Sequence, residues 1–224
     1  MIRTLTLAGL GVLATAAYVS VSQPAGPLPS FVGAAQAQSS DATAAEAVKV
    51  EVTDFVMGDP DAPVTMIEYA SFTCPHCKNF HLGPGRQIKA DYIDTGKVKL
   101  IYREVFSTRP ALWAGLVARC GGEERYFGIV ELLYQRQSEW LDAADLAGVA
   151  DNLRRIGRAG GLTDDEINAC LTDQATAEAV IANFEKNMAE HDVRSTPSFV
   201  IGGEVYQNMP LERMTELLDA ELGG

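Results

Sequence analysis

The chain has 224 residues, 47% of them apolar and 21% charged, which is the composition of an ordinary globular protein with room for one good-sized domain. Eighteen Lys and Arg stand against 30 Asp and Glu, a formal net charge of −12, with no basic cluster. That balance argues against nucleic acid and against anionic membrane surfaces as partners.

Arg3 is the last charged residue before Asp41, and residues 5–21 are almost wholly apolar. A positive start, an apolar run and the small-x-small triplet Ala35-Gln36-Ala37 read as an export signal over residues 1–37. Pro24, Pro27 and Pro29 make the path to that triplet long. Cleavage near Ala16 or Ala17, or an uncleaved anchor of about 18 apolar residues, are the alternatives. Each of these sends the domain to a periplasmic or other extracytoplasmic compartment, where disulfides persist. Residues 38–47 are small and polar and read as a leader into the fold.

Residues 48–52 alternate at period two and suggest a first strand. Residues 58–63 are dense in turn formers, and the continuous apolar run Val64–Ala70 suggests a central, buried strand. After Cys74-Pro75-His76-Cys77 the pattern becomes helical, with Phe80, Leu82, Ile88, Tyr92 and Ile93 on its apolar side. Gly83-Pro84-Gly85 is expected to break that helix, and Gly96 to cap it. Residues 98–105 form the next strand, which completes a βαβ unit with a right-handed crossover.

Residues 107–193 are helical throughout, with amphipathic runs at 111–119, 125–136, 142–156 and 173–190. Thr163 and Glu166 have the spacing of a capping box. No Pro, Ser or Gly tether flanks this region, so it reads as an insertion into a domain made of residues 48–106 and 194–224. The chain closes with a hairpin, Ser198–Ile201 and Glu204–Gln207 about Gly202-Gly203, and an amphipathic helix over 211–222.

Cys74 and Cys77 carry the chemistry. Two thiols two residues apart can close into a disulfide or open into a dithiol. A sulfur at the start of a helix also faces unpaired N–H groups that favour its thiolate. Pro75 suits the first helical turn, where its missing N–H costs nothing. A structural knuckle is the plain alternative. A zinc site built on Cys74, Cys77 and His81 lacks an obvious fourth ligand, so no metal is expected. Glu68, six residues before Cys74 on a strand read as buried, needs either a functional reason or an edge exposed to solvent. His191 beside Asp192 reads as a solvated helix end.

The run Glu68-Tyr69-Ala70-Ser71-Phe72-Thr73-Cys74-Pro75-His76-Cys77, with Ser195-Thr196-Pro197-Ser198-Phe199 downstream, resembles the DsbA family of thioredoxin-fold thiol–disulfide oxidoreductases. The resemblance covers residues 50–222 and implies an α/β thioredoxin fold with an inserted helical domain. It implies that Cys74 is the exposed, reactive sulfur and Cys77 its buried partner. His76 would lend positive charge beside Cys74, and Glu68 would move the proton of the buried thiol. Thr196-Pro197 would be a cis-proline loop that pairs with substrate backbone. Some DsbA-like proteins carry a further disulfide in the inserted domain, which here would join Cys120 and Cys170; two buried thiols are the alternative. The expected function is the donation of the Cys74–Cys77 disulfide to reduced substrate proteins by a monomer. No cofactor other than that disulfide is expected, and reoxidation would come from a membrane, quinone-linked partner of the DsbB kind. A reductase or isomerase held as the dithiol is one rival, since Thr196 stands where the best-known oxidase has Val. A periplasmic peptide-binding chaperone is the other.

Overall fold

The computed structural model describes residues 50–223. The export signal and leader expected over residues 1–47 lie outside the described residues. The sheet is organised around β2 (Val64–Ala70), whose residues are buried or half-buried throughout. β3 (Val98–Glu104) lies parallel to β2 on one side, and β4 (Ser198–Ile201) antiparallel on the other. β1 (Phe55–Met57) and β5 (Glu204–Gln207) complete the order β1-β3-β2-β4-β5.

The first strand sits later than its alternation suggests. In the antiparallel register Phe55 faces Tyr102, so residues before 53 would have to pair beyond Glu104, where β3 has ended. Phe55 fixes that register by stacking on Tyr126 with ring centroids 4.2 Å apart, and Asp54 accepts from Arg103 at 3.0 Å.

Alternation along the strands sends Val64, Met66 and Glu68 to one face and Ile67 and Tyr69 to the other. The first face is covered by α1 (Pro75–Leu82), by α2 (Pro84–Ile88) with the π-helical turn Lys89–Ile93 that continues it, and by α9 (Leu211–Glu221). Phe80, Ile88, Met214 and Leu218 pack there against Met66, Leu100 and Phe199. The break falls at Gly83, because Pro84 has no N–H for a continuing helix and opens a new one instead. The β4–β5 hairpin turns through Gly202 and Gly203, at φ of 58° and 83°, the paired positive values a tight two-residue hairpin requires.

Six helices separate β3 from β4. They are α3 (Arg109–Cys120), α4 (Gly122–Gln135), α5 (Gln137–Leu141), α6 (Leu146–Ala159), α7 (Asp164–Thr172) and α8 (Gln174–Glu190). The expected helix over 142–156 begins at Leu146 because Asp145 caps it, accepting from the Gly148 N–H at 2.8 Å. The chain before that cap forms α5, which the periodicity did not suggest. The Thr163–Glu166 capping box at the start of α7 is formed in both directions. Val117, Ile129, Leu133, Trp140, Leu153 and Ile167 build the core of this region. α8 covers the second face of the sheet, packing Phe184 and Met188 near Tyr69 and Val200. His191 is not a free helix end. Its Nδ1 lies 2.6 Å from the Tyr69 hydroxyl, which also accepts from Arg103 at 2.8 Å, so it ties the end of α8 to β2.

The insertion is fastened to the sheet through Glu104. This buried carboxylate accepts from Arg119 of α3 at 2.6 Å and from the Tyr126 hydroxyl of α4 at 2.7 Å. Within the insertion, Cys120 and Cys170 form a disulfide that joins α3 to α7 across 50 residues of chain. Among the described residues no helix is long and apolar enough to cross a membrane.

Closing a loop of that length restricts the unfolded chain, with a stabilisation of roughly 2–4 kcal/mol. The Cys120→Ala/Cys170→Ala double variant is expected to lose about that much unfolding free energy. Urea unfolding with an unchanged slope would measure it.

Candidate active site

β2 ends at Ala70, and the chain turns through Ser71, Phe72 and Thr73 into the N-cap of α1, which is Cys74. Pro75 occupies the first helical position. Phe72 is buried and acts as the anchor of this turn, packing its ring 5.6 Å from Tyr102 and 5.5 Å from Tyr134. Full burial of a ring of this size is worth about 2–3 kcal/mol. The loop is therefore held by packing before any polar contact is counted.

The tight start of the helix sends the two sulfurs into opposite environments. Both are free thiols. Cys74 is half-buried, and in its protonated form donates to the Thr196 carbonyl at 3.5 Å. Burial works against ionisation of Cys74. Hydrogen bonds with Thr196, with the backbone and thiol of Cys77 and with the His76 backbone outweigh it, so its pKa lies below the ordinary thiol value. Cys77 is fully buried on the inner side of α1. Burial first, and the nearby Glu68 charge second, push its pKa far above the ordinary thiol range.

His76 is exposed at the first turn. The contribution it makes to lowering Cys74 comes from its backbone N–H. Thr196-Pro197 closes over the site just before β4, with its peptide bond cis, and brings the Thr196 carbonyl to Cys74.

Glu68 lies beneath the pair on the central strand. It is 0% exposed, so the edge placement open to it in the sequence is not the one it takes. Its Oε1 is 3.0 Å from His81 Nε2, and its Oε2 is buried without a hydrogen-bond partner among the described residues. Across the ladder it faces Tyr102, whose hydroxyl is 2.6 Å from that of Tyr134. His81 lies flat on the Tyr134 ring, with centroids 4.2 Å apart and an interplanar angle of 17°. His81 is thus engaged with a carboxylate and an aromatic face, and among the described residues no cluster of three or more His, Cys, Asp or Glu side chains is arranged to hold a metal.

The structure adds residues that the sequence did not single out. Gln137, buried at the start of α5, donates from Nε2 to the Phe72 carbonyl at 2.8 Å and to the Cys74 carbonyl at 3.0 Å. A side chain of the insertion thereby holds the thiol-bearing loop, a partnership across more than 60 residues that no local pattern signals. Tyr102 and Tyr134 were visible only as apolar-patterned positions in a strand and a helix.

The sequence matches the family model described as "Thioredoxin" over residues 50–220. A Rickettsia bellii protein named "Putative protein-disulfide oxidoreductase" is 31% identical over 176 residues, 76% of this chain and 65% of that protein. The chain thus spans somewhat less than two thirds of that relative's length. The disulfide bond formation protein D of Bacillus subtilis is 25% identical, over 75% of this chain and 77% of that one. Among solved structures, alpha-DsbA1 of Wolbachia pipientis superposes with a TM-score of 0.70 at 28% identity, covering 79% of this chain and 94% of that one.

In the reduced protein, Cys74 is expected to alkylate with a pH midpoint below the ~8.5 of a free cysteine, while Cys77 stays unmodified until the fold opens. Mass mapping of iodoacetamide adducts across pH checks both. Gln137→Leu leaves two carbonyls of the loop without this donor. It is expected to cost about 1–3 kcal/mol of unfolding free energy.

Proposed function

The chain belongs to the thioredoxin family, among its DsbA-like members, and on that footing we propose that it is an exported protein thiol–disulfide oxidoreductase acting through Cys74 and Cys77. The observation that carries this is the asymmetry of the two sulfurs. One is reachable and acidic at a helix start, the other sealed and held as a thiol.

A substrate thiolate attacks Cys74 Sγ in the disulfide form. The Cys74–Cys77 bond breaks, Cys77 leaves with the electron pair and takes up a proton, and the substrate is joined to Cys74. A second substrate thiolate then attacks the substrate sulfur of this mixed disulfide. A new substrate disulfide forms and Cys74 departs as a thiolate, which its low pKa favours. Because thiolate stabilisation favours the reduced pair, the disulfide is a strong oxidant and the net direction is oxidation of the substrate. Thr196 presents its backbone beside Cys74, where an extended substrate segment can pair with it as a short added strand. The two electrons left on Cys74 and Cys77 pass to a membrane, quinone-linked oxidase of the DsbB kind. The protein acts in the periplasm as a monomer, with Glu68 serving the proton of Cys77.

The rival reading, a reductase or isomerase kept as the dithiol, draws on Thr196 preceding Pro197. The redox state of Cys74 and Cys77 in the cell separates the two, with mostly disulfide expected and mostly dithiol overturning the oxidase.

Cys74→Ala is expected to abolish oxidation of a reduced model protein, and Cys77→Ala to accumulate mixed disulfides on Cys74. Retention of full activity by Cys74→Ala in a folding assay would point instead to a chaperone.

A further inference from the structure

We propose that His81 is a positioning residue for proton transfer, linking Glu68, and through it Cys77, to solvent by way of a cavity between β2, α1, α2 and α4. The proposal rests on the oxidoreductase reading and deepens it. Each time the Cys74–Cys77 bond breaks, Cys77 Sγ receives the electron pair in a place where its thiolate is strongly disfavoured. One proton must arrive, and one must leave when the bond is remade.

Direct access from solvent is closed. Cys77 is 0% exposed and packed with Phe72, Tyr102 and Tyr134. The two tyrosines do not serve as the source. Burial first, with the nearby Cys77 and Glu68 charges, holds both firmly protonated. What remains is the carboxyl of Glu68, whose Oε1 meets His81 Nε2 and whose Oε2 has no partner among the described residues.

Beside that pair lies a cavity of about 60 Å³, whose lining joins Glu68 and His81 to apolar side chains that include Met66, Phe80, Ile88 and Leu100. Arg86, Lys89 and Glu131, all substantially exposed, stand at its rim. A space of that size admits a few water molecules. His81 itself is 12% exposed, so one ring spans from the sealed acid to the edge of the solvent.

The balanced step is one proton from the Glu68–His81 pair to the departing Cys77 sulfur, with the pair refilled from water through the cavity. Reoxidation runs the same proton outwards. The titratable and charged groups beside His81 are Glu68 from β2, Tyr102 from β3, Tyr134 and Glu131 from α4, Arg86 from α2 and Lys89 from the turn that follows it. Arg86 is engaged with Glu131 at 2.7 Å, so the rim charges largely answer one another, and the carboxylate in hydrogen-bond reach of the imidazole is Glu68.

The test is the rate at which a reduced cysteine peptide reduces the oxidised protein, followed from acid to neutral pH. His81→Gln keeps a hydrogen-bonding group near Glu68 but cannot relay a proton. It is expected to slow the reaction about ten-fold or more and to change the shape of its pH profile. His81→Ala opens the cavity further, and added imidazole is expected to restore its rate. A folded His81→Gln protein whose rate and pH profile superimpose on the wild type would overturn the relay while leaving the oxidoreductase reading intact. So would an His81→Ala protein that is slow but indifferent to imidazole. Absence of exchange in the wild type would overturn the oxidoreductase reading and the relay with it.

Discussion

Everything at this site follows from α1 beginning at Cys74, directly off the end of the central strand. Pro75 sets the first helical residue, and one turn then separates a sulfur at the helix mouth from a sulfur on its inner face. The first gains the unpaired N–H groups of the helix start, and the second is sealed from water among Phe72, Tyr102 and Tyr134 with a carboxylate nearby. No distant charge is needed to make two chemically identical side chains unequal. The same helix start explains why the exposed His76 ring matters less to Cys74 than the backbone on which it sits.

Two buried carboxylates lie on adjacent strands, and their surroundings differ in a telling way. Glu104 is answered on both oxygens, by Arg119 and by Tyr126, and so behaves as a rivet between the insertion and β3. Among the described residues Glu68 has one hydrogen-bond partner, the His81 imidazole, and one oxygen with none. Burial of an unsatisfied carboxylate is costly, and it persists where the group has chemistry to perform. By that measure Glu104 is structural, while Glu68 keeps one oxygen that no group among the described residues answers.

Local signals in the sequence reached a good deal of this. The apolar run of β2, the Gly202-Gly203 hairpin, the break at Pro84 and the Thr163–Glu166 capping box each depend on residues within a few positions of one another, and each is present. Family resemblance pointed to the thioredoxin fold and to the Cys120–Cys170 pairing. What stayed hidden was contact at a distance. His81 meets Glu68 thirteen residues away across a helix–strand interface, and spacing alone offered it only as a third zinc ligand lacking a fourth. Gln137 lies in a five-residue helix too short to show a period. The first strand was misplaced because alternation continues past the point where β3 has anything left to pair with.

The link from Gln137 to the Phe72 and Cys74 carbonyls also bears on what the smallest working unit of this protein is. By topology the helices between β3 and β4 are an excursion, and a fold diagram would invite their removal. By bonding they supply the clamp on the thiol loop, the Tyr134 hydroxyl that answers Tyr102, and the ring on which His81 rests. A bare five-stranded core would keep its two cysteines and the helix start that makes them unequal, and lose the clamp that holds their loop. The candidate site therefore has no boundary inside the chain at which the insertion can be cut away: what topology draws as a guest is, at the level of single atoms, one of the walls of the house.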